Sequence, residues 1–380
     1  MSDPLDSILV VAGEASADLH GSKLVASLRE AAPCLRVFGV GGERMISAGL
    51  ETSFHSDEFS VMGFAEVVRH IPRLRRAMSS LVREVVERGT RLAVLMDYPG
   101  FNLILAGRLR DEGVRVLYYI SPQVWAWGEG RVRKISQRVD RMAVILPFEV
   151  DFYRERGVDV EFVGHPILEE PWVGGIEGPR TGLGHPPVLG LLPGSRRQEV
   201  LRNLPEMLGA ARLLRREIGG LSVSLGLARG LDEQLVRRLL ADDLEGTEIV
   251  PPDDVHGLMA RATALLIASG TATLEAACAG APMVITYRTS PLSYAVARAL
   301  VRIPHIGLVN VIAGEEVVPE LIQGDATAER LAEGVKPFLT DARLAAATSK
   351  RLFDVRRALG SPGASRRVAG MALSMLEGSE

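Results

Sequence analysis

The feature that most constrains this chain is an alternation of short, continuous apolar runs with longer stretches of helical spacing. Ile8 to Ala12 is an apolar run rich in β-branched residues; it stops at Gly13, and a helical pattern follows from about Ser16 to Ala32. Leu35 to Val40 repeats the strand signal and ends among Gly39, Gly41 and Gly42. Leu92 to Met96, Val114 to Ile120, Met142 to Leu146 and Val160 to Val163 are further runs, most of them separated by helical stretches. Unbroken apolar strands are covered on both faces, and strands alternating with helices build parallel β-α-β units. From Trp172 to Pro187 the periodicity fails in a stretch holding five Gly and three Pro, which is linker chemistry. The alternation restarts with Val188 to Leu192, helical spacing from Arg196 to Ile218, and strands at Leu221 to Leu227, Ile249 with Val250, Ala264 to Ala268 and Met283 to Tyr287. From about Thr327 the chain reads as helix to its end, broken near 360–363. The expected fold is α/β, with two doubly wound Rossmann-like domains and a helical C-terminus. The expected boundaries are 1–166, a linker at 167–187, 188–340, and helices over 341–380 that either pack back on the first domain or exchange with a second chain.

Composition removes several classes. Lys plus Arg number 44 against 47 Asp plus Glu, a net charge of −3, so the basic excess of a general nucleic-acid binder is missing. With 47% hydrophobic and 24% charged residues the chain is neither disordered nor fibrous. No apolar run approaches the roughly 20 residues of a membrane span, and the polar start MSDPLDS is not a signal peptide. Two cysteines, Cys34 and Cys278, make neither a disulfide framework nor a zinc site. A reduced, cytosolic protein is expected.

In open α/β sheets ligands sit at the carboxyl ends of strands, so the strand-end loops are where function is sought. The first strand runs into Gly13-Glu14-Ala15-Ser16-Ala17-Asp18-Leu19-His20-Gly21. Gly13 permits a tight turn close to a ligand and Ser16 can cap the helix. An ordinary strand-to-helix turn explains those two alone; Asp18 and His20 add polar groups that it does not require. After Gly39 and Gly41 the third glycine of a dinucleotide fingerprint is replaced by Arg44. The run Leu92 to Met96 continues into Asp97-Tyr98-Pro99-Gly100-Phe101-Asn102. Asp97 is placed as a general base, or it satisfies backbone N–H groups ahead of Pro99. Residues 121–128, Ser-Pro-Gln-Val-Trp-Ala-Trp-Gly, hold Gln123, Trp125 and Trp127, as a packed loop anchor or as the wall of a sugar or acyl pocket.

The second domain opens with Leu192-Pro193-Gly194-Ser195-Arg196-Arg197-Gln198-Glu199. Free N–H groups at a helix start bind phosphate, and Arg196 adds a bidentate donor, so Gly194, Ser195 and Arg196 read as a diphosphate cradle. The Lys-Ser/Thr ending of a nucleotide-hydrolysing P-loop is missing. Ser269, Gly270 and Thr271 open a further helix, and Glu275 one turn in either accepts bonds from ribose hydroxyls or stabilises the helix as an N-terminal acid. No Asp-x-Asp occurs and no two histidines are spaced i, i+4, so no metal is expected. His165 reads as a structural residue at a domain boundary.

In the stretch Phe59 to Arg88, Phe64, Val67, Val68, Ile71, Leu74, Met78 and Leu81 follow helical spacing, while five Arg and one His, with no acid, fall between Val67 and Arg83. This describes an interfacial helix on anionic lipid, or a surface helix whose apolar stripe faces the core.

Taken in order, GEASADLHG, FGVGGERM, SVMGFAEV, DYPGFNL, YYISPQVWAWG, VILPFE, EFVGHP, LLPGSRRQEV and SGTATLEAA, with LVN and VPELIQ further on, resemble the lipid-A-disaccharide synthase family of glycosyltransferases over residues 13 to about 323. Ala17 departs from the family's usual Gly. The resemblance implies the two-domain glycosyltransferase-B architecture and inverting transfer from UDP-2,3-diacylglucosamine to 2,3-diacylglucosamine 1-phosphate, forming a β(1→6) disaccharide and UDP without a metal or cofactor. It further implies Asp97 as the base with His20 as second candidate, and UDP on Gly194, Ser195, Arg196, Ser269, Gly270, Thr271 and Glu275, with Asn310 closing the site. Gly13, Ser16, Asp18, Gln123, Trp125 and Trp127 become the sugar pocket. Because both substrates carry acyl chains, Val61, Met62, Phe64, Val67, Val68, Arg69, Ile71, Arg73, Leu74, Arg75 and Arg76 become a contact with an anionic membrane, on the cytoplasmic face of the inner membrane. No nucleic acid is expected as a partner, and a homodimer stays open. So do two other readings: a different UDP-sugar enzyme of this architecture, such as a 2-epimerase or a peptidoglycan glycosyltransferase, and a non-catalytic nucleotide-sugar binding module.

Overall fold

The computed structural model describes residues 7–13, 15–59, 64–126, 129–240, 246–290, 294–295, 298 and 303–378, with residues 15, 16, 64–70 and 129 described by their backbone alone. The chain divides into two compact units, one running to Glu169 and resuming at Leu359, the other Glu170–Ala358.

In the first unit the strands are β1 Ser7–Ala12, β2 Arg36–Gly41, β3 Glu51–His55, β4 Leu92–Met96, β5 Arg115–Tyr119, β6 Arg141–Val144 and β7 Val160–Phe162. They form one parallel sheet in the order β3-β2-β1-β4-β5-β6-β7. Side chains alternate between faces along a strand, so both faces need cover. Leu9, Val11, Leu95, Val116 and Tyr118 join one core with Leu81 and Val85 of the helix Phe64–Arg88. Ile8, Val10, Val94, Met96 and Leu117 join the other with Leu24 and Leu28 of the helix Ala15–Ala31 and with Val368, Ala372 and Met375 of the helix Ala364–Glu377. The strand order reverses between β1 and β4, where Ala12 lies beside Met96.

The second unit repeats the plan with β8 Val188–Leu192, β9 Ser222–Gly226, β10 Glu248–Val250, β11 Ala264–Ala268, β12 Met283–Tyr287 and β13 Glu320–Ile322. The parallel order is β10-β9-β8-β11-β12-β13, and it reverses between β8 and β11. The helices Arg197–Glu217 and Ala328–Thr340 cover one face of this sheet through Leu204, Met207, Leu208, Leu331 and Val335.

Two strands were not expected. β3 and β13 are edge strands, each paired on one side only, and their residues are half-buried or exposed, so they lack a continuous apolar run. The C-terminal boundary also differs from the expectation. The helix Ala342–Ala358 belongs to the second unit, and only the chain from Leu359 joins the first. The Gly/Pro-rich stretch is held down rather than loose. The buried guanidinium of Arg180 donates to the carbonyls of Met259, Ala260, Ala262 and Ala279, and burial lowers its pKa to about 10. Arg356 donates to the carbonyls of Val173 and Ile176.

The helix Phe64–Arg88 splits the two readings of its stripe. Ala77, Met78, Leu81 and Val85 are buried in the core, whereas Ile71 is 37% exposed and Arg73, Arg75 and Arg76 are exposed. Val61 and Met62 lie outside the described residues, as do the side chains of Phe64, Val67, Val68 and Arg69. No described helix is long and apolar enough to cross a membrane.

Candidate functional site

Each sheet has its expected loops at the point where its strand order reverses, which is where ligands bind in doubly wound folds. In the first unit, Gly13 follows β1 and Asp97 follows β4. Asp97 and Tyr98 both adopt left-handed backbone conformations, with φ of 47° and 44°, and Ile120 after β5 does so with φ 64°. Such conformations in residues other than glycine cost about 1–3 kcal/mol each and persist only where neighbours hold them. Asn102, fully buried, does much of this: its Nδ2 donates to the carbonyls of Met96 at 3.0 Å and Asp97 at 2.8 Å. The Tyr118 hydroxyl donates to the same Asp97 carbonyl, and burial keeps that phenol protonated well above its ordinary range. Tyr98 stacks on Phe101 and donates through its hydroxyl to the Phe59 carbonyl. The turn thus presents Asp97 at the switch point. Gly13 is required by its neighbour: a Cβ there would lie 2.8 Å from Cδ1 of Tyr98.

Other first-unit residues are placed differently from expectation. Asp18 is a cap, not a pocket residue. Its buried carboxylate accepts from the N–H groups of Gly42 at 2.7 Å, Arg44 at 3.3 Å and Met45 at 3.1 Å, which satisfies the start of the helix Glu43–Ala48. His20 is half-buried, and burial lowers the pKa of His165 to about 3, so His165 is neutral. His165 Nδ1 accepts from the N–H of Ile167, a structural role. Gln123 is exposed. Trp125 packs edge-on to Phe148 and turns its indole N–H to Glu149 at 3.1 Å. Trp127 and the side chain of Ser16 lie outside the described residues.

In the second unit, Gly194 after β8 has φ 119°, and a Cβ there would meet the Glu199 carboxylate at 2.6 Å. Glu199 Oε2 accepts from the N–H groups of Ser195 at 3.0 Å and Arg196 at 3.2 Å, and Oε1 accepts from Arg196 Nη1 at 2.9 Å. The donors of the predicted cradle therefore already hold a carboxylate, an internal anion in the place expected for phosphate. Buried Asn203 supports the loop from below by donating to the Pro193 carbonyl. After β11, Ser269 is tied by its N–H to Thr286 and by its hydroxyl to the Ile306 carbonyl, while Gly270 has open space around it and Thr271 starts the helix Ala272–Cys278. Glu275 lies in the first turn of that helix; its Oε2 faces His256 Nε2 at 3.4 Å, and His256 stacks on Trp172 with ring centroids 4.3 Å apart.

Asn310, expected to close the site, is placed inside the second unit's core. It is fully buried and its amide is spent on the fold. Nδ2 donates to the Val318 carbonyl and to Glu320, each at 2.8 Å, and Oδ1 accepts from the N–H groups of Val317 and Val318. It staples the approach to β13.

Sequence reasoning missed Glu149, Glu199, Asn102 and the pair Trp172–His256 as site residues. Glu149 and Glu199 carried a readable signal, an acid in the first turn of a helix that starts at a strand end. The stacking of Trp172 on His256, 84 residues apart, carried none.

Two parallel doubly wound sheets with these switch-point loops place the protein in the class of glycosyltransferase-B folds. Solved structures agree at the level of fold. A putative UDP-N-acetylglucosamine 2-epimerase from Listeria monocytogenes superposes with TM-score 0.66 at 11% identity, over 98% of this chain and 97% of that one. The calicheamicin glycosyltransferase CalG4 superposes with TM-score 0.60 at 17% identity, over 98% of both chains. The family model for lipid-A-disaccharide synthetase matches residues 8–372, and the chain belongs to that family. It is similar to the lipid-A-disaccharide synthase of Geobacter metallireducens, 46% identical over 379 residues and 98% of each chain, and to that of Myxococcus xanthus, 42% identical over 376 residues and 97% of each chain. It is an enzyme, a glycosyltransferase of lipid A disaccharide formation.

Proposed function

We propose that the enzyme transfers 2,3-diacylglucosamine from its UDP derivative to the 6-hydroxyl of 2,3-diacylglucosamine 1-phosphate, inverting the anomeric carbon and releasing UDP. The observation that carries this reading, beside the family, is the pair of switch-point loops. One presents a carboxylate on a strained, rigidly held turn; the other presents N–H groups and Arg196 that already hold an anion. Asp97 takes the proton of the acceptor hydroxyl as that oxygen attacks C1, a general-base role worth about 10²–10⁴-fold. The N–H groups of Ser195 and Arg196, with the Arg196 guanidinium, take the charge that develops on the leaving diphosphate. Glu275, steadied by His256, holds the ribose.

Asp97→Asn removes turnover and leaves UDP affinity nearly intact. Near-normal turnover in that variant with loss in His20→Ala transfers the base role to His20. UDP release measured with acylated and deacylated donor, with and without acceptor, tests the whole reading. Release that needs both the acylated donor and the acceptor supports it. Release with deacylated donor alone points to another UDP-sugar enzyme, and binding without release to a non-catalytic module.

The exposed Ile71 beside Arg73, Arg75 and Arg76 supports a peripheral seat on an anionic membrane, on the cytoplasmic face of the inner membrane. Flotation with anionic liposomes at low salt, lost at high salt, checks it. A homodimer formed by exchange of the helix Ala364–Glu377 would bury the same apolar face, and light scattering reads the mass.

A further inference from the structure

Glu149 is the most deeply buried carboxyl of the first unit's described residues, 1% exposed, at the carboxyl end of the sheet just beyond β6. Its Oε1 accepts from the Ser121 hydroxyl and from the Trp125 indole N–H at 3.1 Å, and its Oε2 accepts from the Leu146 N–H at 3.0 Å. These partners lie on two neighbouring strand-end loops. One carboxylate therefore ties the loop after β5, which bears Gln123 and Trp125, to the loop after β6. The first loop leaves its strand through the left-handed Ile120, so its path is strained at the root and depends on what holds it further along.

The network does not end there. Tyr153, buried on the same helix as Glu149, bonds to Ser121, and its hydroxyl also reaches the Pro122 carbonyl at 3.4 Å. Glu149, Ser121 and Tyr153 thus form one buried polar scaffold beyond the carboxyl ends of β5 and β6. Partly satisfied scaffolds of this kind are costly in a low-dielectric interior, so each acceptor matters. Tyr153 is the titratable group that faces Glu149; the helix Glu149–Arg154 keeps its other charges, Asp151 and Arg154, paired at the surface.

We propose that Glu149 is a positioning residue of the transfer reaction, fixing the loop of residues 121–126 against the sugar substrates. The proposal rests on the reading that this loop lines the sugar pocket. A carboxylate offers acceptors to three donors at once. An amide in its place offers one oxygen and adds an N–H₂ that opposes a donor, so the loop loses a bond. Burial lifts the Glu149 pKa to about 7, so protonation removes an acceptor within the working range and should have the same kind of effect as the amide.

Steady-state kinetics of the full chain test this. Glu149→Gln should raise KM for the lipid substrates about tenfold, the weight of one hydrogen bond at roughly 1.4 kcal/mol, with kcat changed less than threefold. The wild-type KM should rise as pH falls from 8 to 6, and the variant should be flat over that interval. Gln123→Ala, on the same loop and away from the clamp, separates the two ideas. A shifted KM in Gln123→Ala with wild-type KM and pH dependence in Glu149→Gln overturns the positioning role and leaves the pocket reading standing. An unchanged KM in both overturns both. If Glu149→Gln fails to fold, Trp125→Phe removes one donor to the same oxygen and keeps a ring; it must raise KM, and an unchanged KM there refutes the proposal.

Discussion

If the proposed cradle holds the diphosphate, Glu199 competes with it. Its two oxygens occupy the N–H groups of Ser195 and Arg196 and one guanidinium nitrogen of Arg196, the same donors that the leaving group requires. On that proposal, bound UDP displaces this carboxylate. The Arg196 side chain is 71% exposed and Glu199 25%, so their ion pair is worth only about 0.2–1 kcal/mol. Two backbone bonds at a half-open helix start add about 0.5 kcal/mol each. Displacement therefore costs about 1–2 kcal/mol, and Glu199→Ala should tighten UDP binding by about 5–30-fold, at 1.4 kcal/mol per tenfold. The same change removes the helix-start acceptor and should lower stability by about 1 kcal/mol. Isothermal titration with UDP at fixed ionic strength reads the first effect, and urea unfolding of the same preparation reads the second. Weaker UDP binding in Glu199→Ala would mean that Glu199 supports the cradle instead of competing for it. Unchanged binding would mean that the diphosphate does not use these donors, and the cradle assignment would fall.

Three further outcomes are expected. Glu149 is held near 7 in the folded chain against 4.5 in the unfolded one, so the folded state binds its proton more tightly; stability should fall as pH rises from about 4.5 to about 7, by about 3 kcal/mol in all, and Glu149→Gln should remove that slope in urea melts across pH. Asn310→Ala leaves the Val317 and Val318 N–H groups and the Val318 carbonyl unpaired in the core, and should destabilise the second unit by roughly 2–4 kcal/mol in thermal unfolding. Arg180→Ala strips four carbonyls of their donor and should cost about 3 kcal/mol, with limited proteolysis near residues 174–187 as the visible sign; an unchanged digestion pattern would show that the stretch is held by other contacts.

What could be read in advance follows how local the cause is. β1, β4, β8 and β11 are central strands, buried on both faces, and announce themselves as unbroken apolar runs. β3 and β13 stand at edges, where one side is open and no such run is needed. Asp97 and the Gly194-Ser195-Arg196 loop could be nominated as candidates from strand-end position and residue type alone. Asp18 was nominated by residue type and Asn310 by the family resemblance, and neither signal tells whether a polar group faces a ligand or a neighbouring N–H. Partners such as Met45 for Asp18 and Val318 for Asn310 are supplied by the fold, not by spacing.

The amino-acid order alone therefore determined the α/β class, the two repeats of the winding and the family, since these rest on periodicity and on contiguous segments. Tertiary structure decided which polar groups are free to act. It spent Asp18 and Asn310 on caps and staples, set Glu199 on the N–H groups of Ser195 and Arg196, and buried Glu149 where two loops meet. The physical reason is that a buried polar group must find partners, and its partners come from segments that only folding brings within about 3 Å.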